Sequence, residues 1–204
     1  MSHFVVPNHI IVGNGVLNEA APILKKMGNK AFIVTGKHVA VSDMMKKLIS
    51  LLDENDIRYV VFDGITGEPD DVMIENGVDL LKNSDCDFII GIGGGSPLDS
   101  AKAIAAMAVN DGSISDYNGK EISGEILPLA AIPTTAGTGS EATKFTVITD
   151  SQKGIKMLLK GDVLVPKLAI VDSEFTVSSP KSVTAATGLD ALTHAVEAYT
   201  SKKA

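Results

Sequence analysis

Asp190 and His194 stand four residues apart in Gly188-Leu189-Asp190-Ala191-Leu192-Thr193-His194-Ala195-Val196-Glu197. On a helix that spacing puts a carboxylate and an imidazole on one face, about 6 Å apart at Cβ, where both reach one cation. On a surface helix without other donors the same pair is only a solvated contact, so spacing alone leaves both readings open. Two further segments carry residue types suited to chemistry. Gly91-Ile92-Gly93-Gly94-Gly95-Ser96 runs into Pro97-Leu98-Asp99-Ser100-Ala101-Lys102. Pro133-Thr134-Thr135-Ala136-Gly137-Thr138-Gly139-Ser140-Glu141 gathers hydroxyls around two glycines.

Consecutive glycines let backbone N–H groups approach a ligand with no Cβ in the way, and a helix N-terminus adds partial positive charge. That combination suits a phosphate, and the contact is assigned to Gly94, Gly95 and Ser96. The run is not the dinucleotide G-x-G-x-x-G fingerprint, because Ser96 takes the last position and the loop follows a late strand. The same residues also read as a helix start, with Ser96 as N-cap, Pro97 at N1 and Asp99 at N3 in a capping or secondary role. In the second segment, Thr134, Thr135 and Thr138 offer hydroxyls that donate and accept, as the ribose and amide groups of a nucleotide require. A loop that satisfies its own backbone is the alternative there. Lys156, after the strand expected at Thr146–Asp150, is placed to meet a phosphate or ribose. No Ser/His/Asp or Cys/His arrangement is visible, and His3, His9 and His38 have no partner in the sequence.

These segments need a frame. Short apolar runs at 31–35, 58–62, 87–91, 129–132 and 168–171 read as strands, most of them apolar on both faces. Residues 41–54, 71–83 and 97–109 show helical spacing between them. Strand, helix, strand at this rhythm predicts an α/β fold with a doubly wound, mostly parallel, Rossmann-like sheet. From Lys181 the chain is helical with no further strand. That predicts a dinucleotide-binding domain over 1–180 and the first helix of an all-helical, metal-binding domain over 181–204. The apolar opening, Phe4-Val5-Val6 and His9-Ile10-Ile11-Val12 around Pro7-Asn8, reads as two short strands able to pair with another chain.

Composition narrows the function classes. Eighteen basic against 25 acidic residues give a net charge of −7 with no basic run, which argues against nucleic acid as a partner. No apolar run reaches the roughly 18 residues of a membrane span. The segment before Pro7 lacks the basic and long apolar regions of a signal peptide. With a lone Cys86, a cytoplasmic location is expected.

Taken together, the blocks Tyr59–Gly64, Cys86–Ile90 running into Gly93–Lys102, Pro133–Glu141 and Ala185–Tyr199 resemble the iron-containing alcohol dehydrogenase family, which includes propanediol and butanol dehydrogenases and lactaldehyde reductase. The last two blocks separate it from glycerol dehydrogenases and dehydroquinate synthases, which share the fold. The resemblance implies an NAD(P)-dependent oxidoreductase interconverting an alcohol and an aldehyde or ketone. It implies Fe2+, or Zn2+, held by one Asp and three His, with Asp190 and His194 matching the first two ligands. The metal would polarise the substrate oxygen while nicotinamide exchanges a hydride with the alcohol carbon. The two later histidines have no counterpart within these 204 residues, so the chain alone is expected to be inactive. A nucleotide-binding module without catalysis is the alternative.

Two departures matter. Many NAD-using members carry an Asp after the first buried strand, where this chain has Gly36 beside Lys37 and His38. Loss of the negative charge with gain of cations favours NADP, bound through Gly36 and Lys37. Glu68 precedes Pro69 where members commonly place Asn near the cofactor. A homo-oligomer joined at the N-terminal segment is also expected.

Overall fold

The computed structural model describes residues 4–202, so His3 lies outside the described residues. The elements are β1 (His9–Gly13), α1 (Ala21–Met27), β2 (Lys30–Val34), α2 (Lys37–Ala40), α3 (Asp43–Glu54), β3 (Arg58–Phe62), α4 (Asp71–Lys82), β4 (Phe88–Gly93), α5 (Gly95–Met107), β5 (Leu129–Pro133), β6 (Phe145–Asp150), β7 (Ile155–Lys160), β8 (Leu168–Asp172) and α6 (Lys181–Thr200). Among the described residues six strands form one sheet, ordered β1-β8-β5-β4-β2-β3, with every neighbouring pair parallel. β6 and β7 pair apart from it as an antiparallel hairpin.

Side-chain alternation divides the core into two layers. Phe32, Val34, Ile89 and Leu129 pack with Ile74 and Val78 of α4, Ile104 of α5, and Ile148 and Leu159 of the hairpin. Ala31, Ile33, Phe88, Ile90 and Ile132 point the other way, onto Leu24 of α1 and Met45, Leu48 and Leu52 of α3. The doubly wound α/β sheet expected from the double-faced apolar runs is therefore present. α3 and α4 are amphipathic and start with side-chain caps: Ser42 Oγ accepts from the Met45 N–H, and Asp70 Oδ1 from the Met73 N–H at 2.8 Å. α5 differs. It is wedged between the sheet and β6 and buries residues all round, from Leu98 to Met107.

Two local expectations are corrected, and one strand is added. α5 begins two residues earlier than read: Gly94 is the N-cap, no side chain caps it, and Ser96 and Asp99 have no capping role. The cause is Gly93, whose φ of 149° turns β4 straight into the helix. Of the two opening strands only the second forms, as β1, because residues 4–7 take no strand partner. β7 was not anticipated, since Ile155-Lys156-Met157-Leu158-Leu159-Lys160 alternates too little to announce a strand.

Two features of the frame bear on function. β2 leads outward to β3 while neighbouring β4 leads the other way to β5 and β8, so the carboxyl ends of β2 and β4 bound a crevice where the strand order reverses. α6 has no buried residue over its 20-residue length. Among the described residues no helix is long and apolar enough to cross a membrane.

Candidate functional site

The crevice is built from segments far apart in sequence. Thr35, the residue after β2, is fully buried, and its Oγ1 donates to the Ile92 carbonyl at 2.8 Å, tying β2 to β4 at their carboxyl ends. Next comes Gly36, the N-cap of α2, and a cavity of about 270 Å3 lined by Gly36, Lys37, His38, Gly93, Gly94 and Pro97. A Cβ on Gly36 would lie 2.8 Å from the Ile65 carbonyl oxygen, so backbone packing also calls for glycine there.

The glycine loop and the hydroxyl loop are stacked. Thr134 N–H donates to the Gly93 carbonyl at 2.9 Å. A Cβ on Gly95 would sit 2.9 Å from Thr138 Cγ2, and one on Gly94 would sit 3.5 Å from the Thr135 side chain. α5 therefore presents its first N–H groups, which have no intrahelical acceptor, between Lys37 on one side and Thr135 and Thr138 on the other. Pro97 at the third helical position has no N–H, which leaves the donors to Gly94, Gly95 and Ser96. Gly94, Gly95, Ser96, Thr134, Thr135, Thr138, Gly36 and Lys37 thus converge.

Asp99 does something else. It is buried one turn into α5, where Oδ2 accepts the Val147 N–H at 2.8 Å. Oδ1 is buried without a hydrogen-bond partner among the described residues. Burial pushes its carboxyl above the usual range, against the pull of Lys102 and the Val147 N–H. Asp99 also faces a larger cleft of about 870 Å3, shared by Gly95, Thr143, Phe145, Val147 and Leu158 with Asp190, His194 and Glu197 of α6. The cleft joins the amide end of α5 to the expected metal ligands.

His194 Nε2 stands 3.7 Å from Asp190 Oδ1, and both side chains are about half exposed. An imidazole and a carboxylate are the donor types that Fe2+ and Zn2+ accept. Among the described residues no group of three or more His, Cys, Asp or Glu is placed to hold a metal. Asp190 and His194 fit one side of a metal site that the other described residues do not close. Lys156 stands apart from both cavities' linings: its ammonium pairs with the Glu68 carboxylate, across the gap between β7 and the loop ahead of α4. Sequence reasoning passed over that pairing, over the apolar wall of Phe145, Val147 and Leu158, and over Lys102. A lysine amid Ala101-Lys102-Ala103-Ile104-Ala105-Ala106 was the available signal, because a charge inside an all-apolar helix must find a buried partner.

Known proteins with this geometry are informative. Residues 7–173 match the model of the family described as iron-containing alcohol dehydrogenase. The chain is 40% identical over 206 residues to the NAD-dependent methanol dehydrogenase of Bacillus methanolicus, covering all of this chain and 54% of that protein. It is 37% identical to the 1,3-propanediol dehydrogenase of Citrobacter freundii, again over all of this chain and 54% of the relative. The crystal structure of a 1,3-propanediol oxidoreductase superposes with a TM-score of 0.94 at 36% identity, covering 100% of this chain and 54% of that one. The sulfoacetaldehyde reductase of Bifidobacterium kashiwanohense, solved in complex with NAD+, superposes with a TM-score of 0.90 at 35% identity, covering 99% and 54%. The chain spans about half the length of the curated relatives it matches. By fold, by sequence and by the stacked glycine and hydroxyl loops, this chain belongs to the iron-containing alcohol dehydrogenase family.

Proposed function

We propose that this chain is the cofactor-binding half of a metal-dependent alcohol dehydrogenase that prefers NADP to NAD. The observation that carries the reading is the crevice at the strand-order reversal, where free α5 amides lie beside a cation-flanked pocket with no carboxylate in its lining. The pyrophosphate is assigned to Gly94, Gly95 and Ser96, and the adenosine ribose with its 2′-phosphate to Gly36 and Lys37, with His38 adjacent. Thr134, Thr135 and Thr138 supply hydroxyls along the cofactor. Lys156 reaches a ribose only by leaving Glu68, so its part in binding is the weakest of the set.

The reacting end of the cofactor belongs in the larger cleft, between Thr143 and Phe145 on one wall and Asp190 and His194 on the other. Asp190 and His194 would hold Fe2+ or Zn2+, which supplies a Lewis acid for the substrate oxygen, while nicotinamide supplies the hydride acceptor or donor. Phe145, Val147 and Leu158 offer an exposed apolar face that suits a small alcohol or aldehyde. A helical metal-binding domain starting near residue 180 would supply the remaining ligands. The exposed faces of Ile10 and Val12 on β1, an edge strand, suit pairing with a second copy.

The test is a fluorescence titration with NADPH and NADH at equal salt. Tighter NADPH is expected. Tighter NADH overturns the preference, and no binding of either overturns the reading. A second reading, a nucleotide-binding module without catalysis, is favoured by the two-ligand metal site. Steady alcohol-dependent reduction of NADP by the full-length protein with iron or zinc would remove it.

A further inference from the structure

Lys102 is fully buried, yet it lies on a helix whose neighbours would accept any apolar side chain. Its Nζ donates to the Thr143 carbonyl at 2.8 Å, to Thr143 Oγ1 at 3.0 Å and to the Phe145 carbonyl at 2.8 Å. An ammonium has three N–H groups, and all three are used. Lys102 therefore has no donor left for a cofactor phosphate, although it closes the glycine-rich motif. Burying the charge is unfavourable, and these bonds with the nearby Asp99 carboxylate offset it. What the arrangement supplies is position.

The residues it grips form one wall of the larger cleft. Thr143 and Phe145 face Gly95 and Asp99 there, opposite Asp190 and His194. Two more bonds run along the same seam, Thr146 Oγ1 to the Asp99 carbonyl at 2.9 Å and Val147 N–H to Asp99 Oδ2 at 2.8 Å. The start of β6 is thus held to α5 by the Lys102 ammonium, the Asp99 carboxylate and the Asp99 carbonyl. Thr143 Oγ1 accepts from Lys102, so its own proton is free to donate into the cleft.

We propose that Lys102 is a positioning residue: from behind the wall it fixes Thr143 and Phe145 against the nicotinamide end of the cofactor without touching it. The inference rests on the proposed function, since it needs a dinucleotide whose phosphates lie at Gly94–Ser96 and whose far end lies in the larger cleft. It predicts a split between two ligands. NADPH reaches the wall, whereas 2′-phospho-ADP-ribose, which ends before the nicotinamide, does not.

The experiment measures both affinities for the wild-type chain and for Lys102→Met, which keeps the length and removes the charge. NADPH should weaken about 10-fold while 2′-phospho-ADP-ribose stays within about 2-fold, the scale of losing charge-assisted bonds at one end only. Equal weakening of both ligands means a merely structural lysine and overturns the proposal. Unchanged affinity for both overturns it too. If wild-type chain binds neither ligand, the functional reading falls and carries this inference with it.

A second measurement needs no variant. Burial pushes the Lys102 ammonium down to about 8, against the charges of Asp99 on the same helix and Glu141 on the loop between β5 and β6. A neutral amine serves two acceptors with its two remaining protons, so the wall loses a tether as pH rises. The ratio of NADPH to 2′-phospho-ADP-ribose affinity should fall between about pH 7 and 10, a window set by that pKa. A flat ratio overturns the proposal, whether or not Lys102→Met folds. The phosphate groups common to both ligands cancel in the ratio.

Discussion

α5 and α6 are the two helices that meet at the larger cleft, and they could hardly be more different. α5 spans Gly95–Met107 with ten buried residues, among them a lysine and a carboxylate whose charges are met inside the protein. α6 is longer, Lys181–Thr200, and buries none. Leu189, Leu192, Val196 and Tyr199 are all more than half exposed along it. The cavity at the strand-order reversal is lined by the turn from β2 into α2 and by the glycine loop that opens α5. The metal side is one face only, two donors on a helix that nothing described here covers.

The sharpest way to test that contrast is to cut a methyl-rich side chain from each helix. Ile104→Ala in α5 should cost about 2–5 kcal/mol in urea unfolding, because a fully buried isoleucine leaves a cavity between the sheet and α4. Leu192→Ala in α6 should stay within about 0.5 kcal/mol. Comparable losses would mean that α6 is packed in solution.

Acidity probes the same contrast from inside α5. A lysine whose folded-state pKa lies near 8, below its ordinary 10.5, is held against the preference of its charged form. Between those values the unfolded chain binds more protons, so stability rises with pH through that window. Below pH 8 the burial penalty is fully present. Wild type should therefore gain on Lys102→Met by up to about 3 kcal/mol between pH 8 and 10.5, at 1.36 kcal/mol per unit. A constant difference across that range would mean that burial does not lower the Lys102 pKa.

Cofactor choice comes next in size. Putting Asp at Gly36 is a poor test, because its Cβ would crowd the Ile65 carbonyl. Lys37→Glu leaves the backbone alone, and should weaken NADPH by about 1–3 kcal/mol with little change for NADH. Equal losses for the two cofactors would remove Lys37 from the 2′-phosphate site. The smallest effect belongs to α6. Saturating Zn2+ should shift the melting temperature of this chain hardly at all, since two donors bind weakly. Stoichiometric, chelator-resistant metal would show that Glu197 or a second copy completes the shell.

Much of the frame is legible in the residues, and the exceptions have physical causes. Double-faced apolar runs such as Phe88-Ile89-Ile90 announce buried parallel strands, and each predicted run became one. Asp190 and His194 share a helix face because spacing alone decides it. What spacing does not carry is lateral order. Nothing local says that β2 lies beside β4, yet that adjacency brings Gly36 and Lys37 to the glycine loop. The start of α5 was misplaced because Ser96-Pro97 is a good helix start by propensity, and the turn at Gly93 overrode it. Lys156 looked free because its partner Glu68 lies 88 residues earlier. Charges that pair across loops are invisible until the loops are placed.

β1 has a consequence that concerns synthesis. Among the described residues it pairs with β8 alone, and the carboxylate of Asp172 at the end of β8 receives the Gly15 and Leu17 N–H groups from a span of more than 150 residues. On a ribosome the backbone N–H and C=O groups of β1 must therefore wait for their partner strand. At 5–20 residues per second that wait is roughly 8–30 s, long compared with the formation of any helix here. During it, a sticky strand is available to a neighbouring nascent chain. Slowing translation before residue 172 emerges should therefore raise the aggregated fraction.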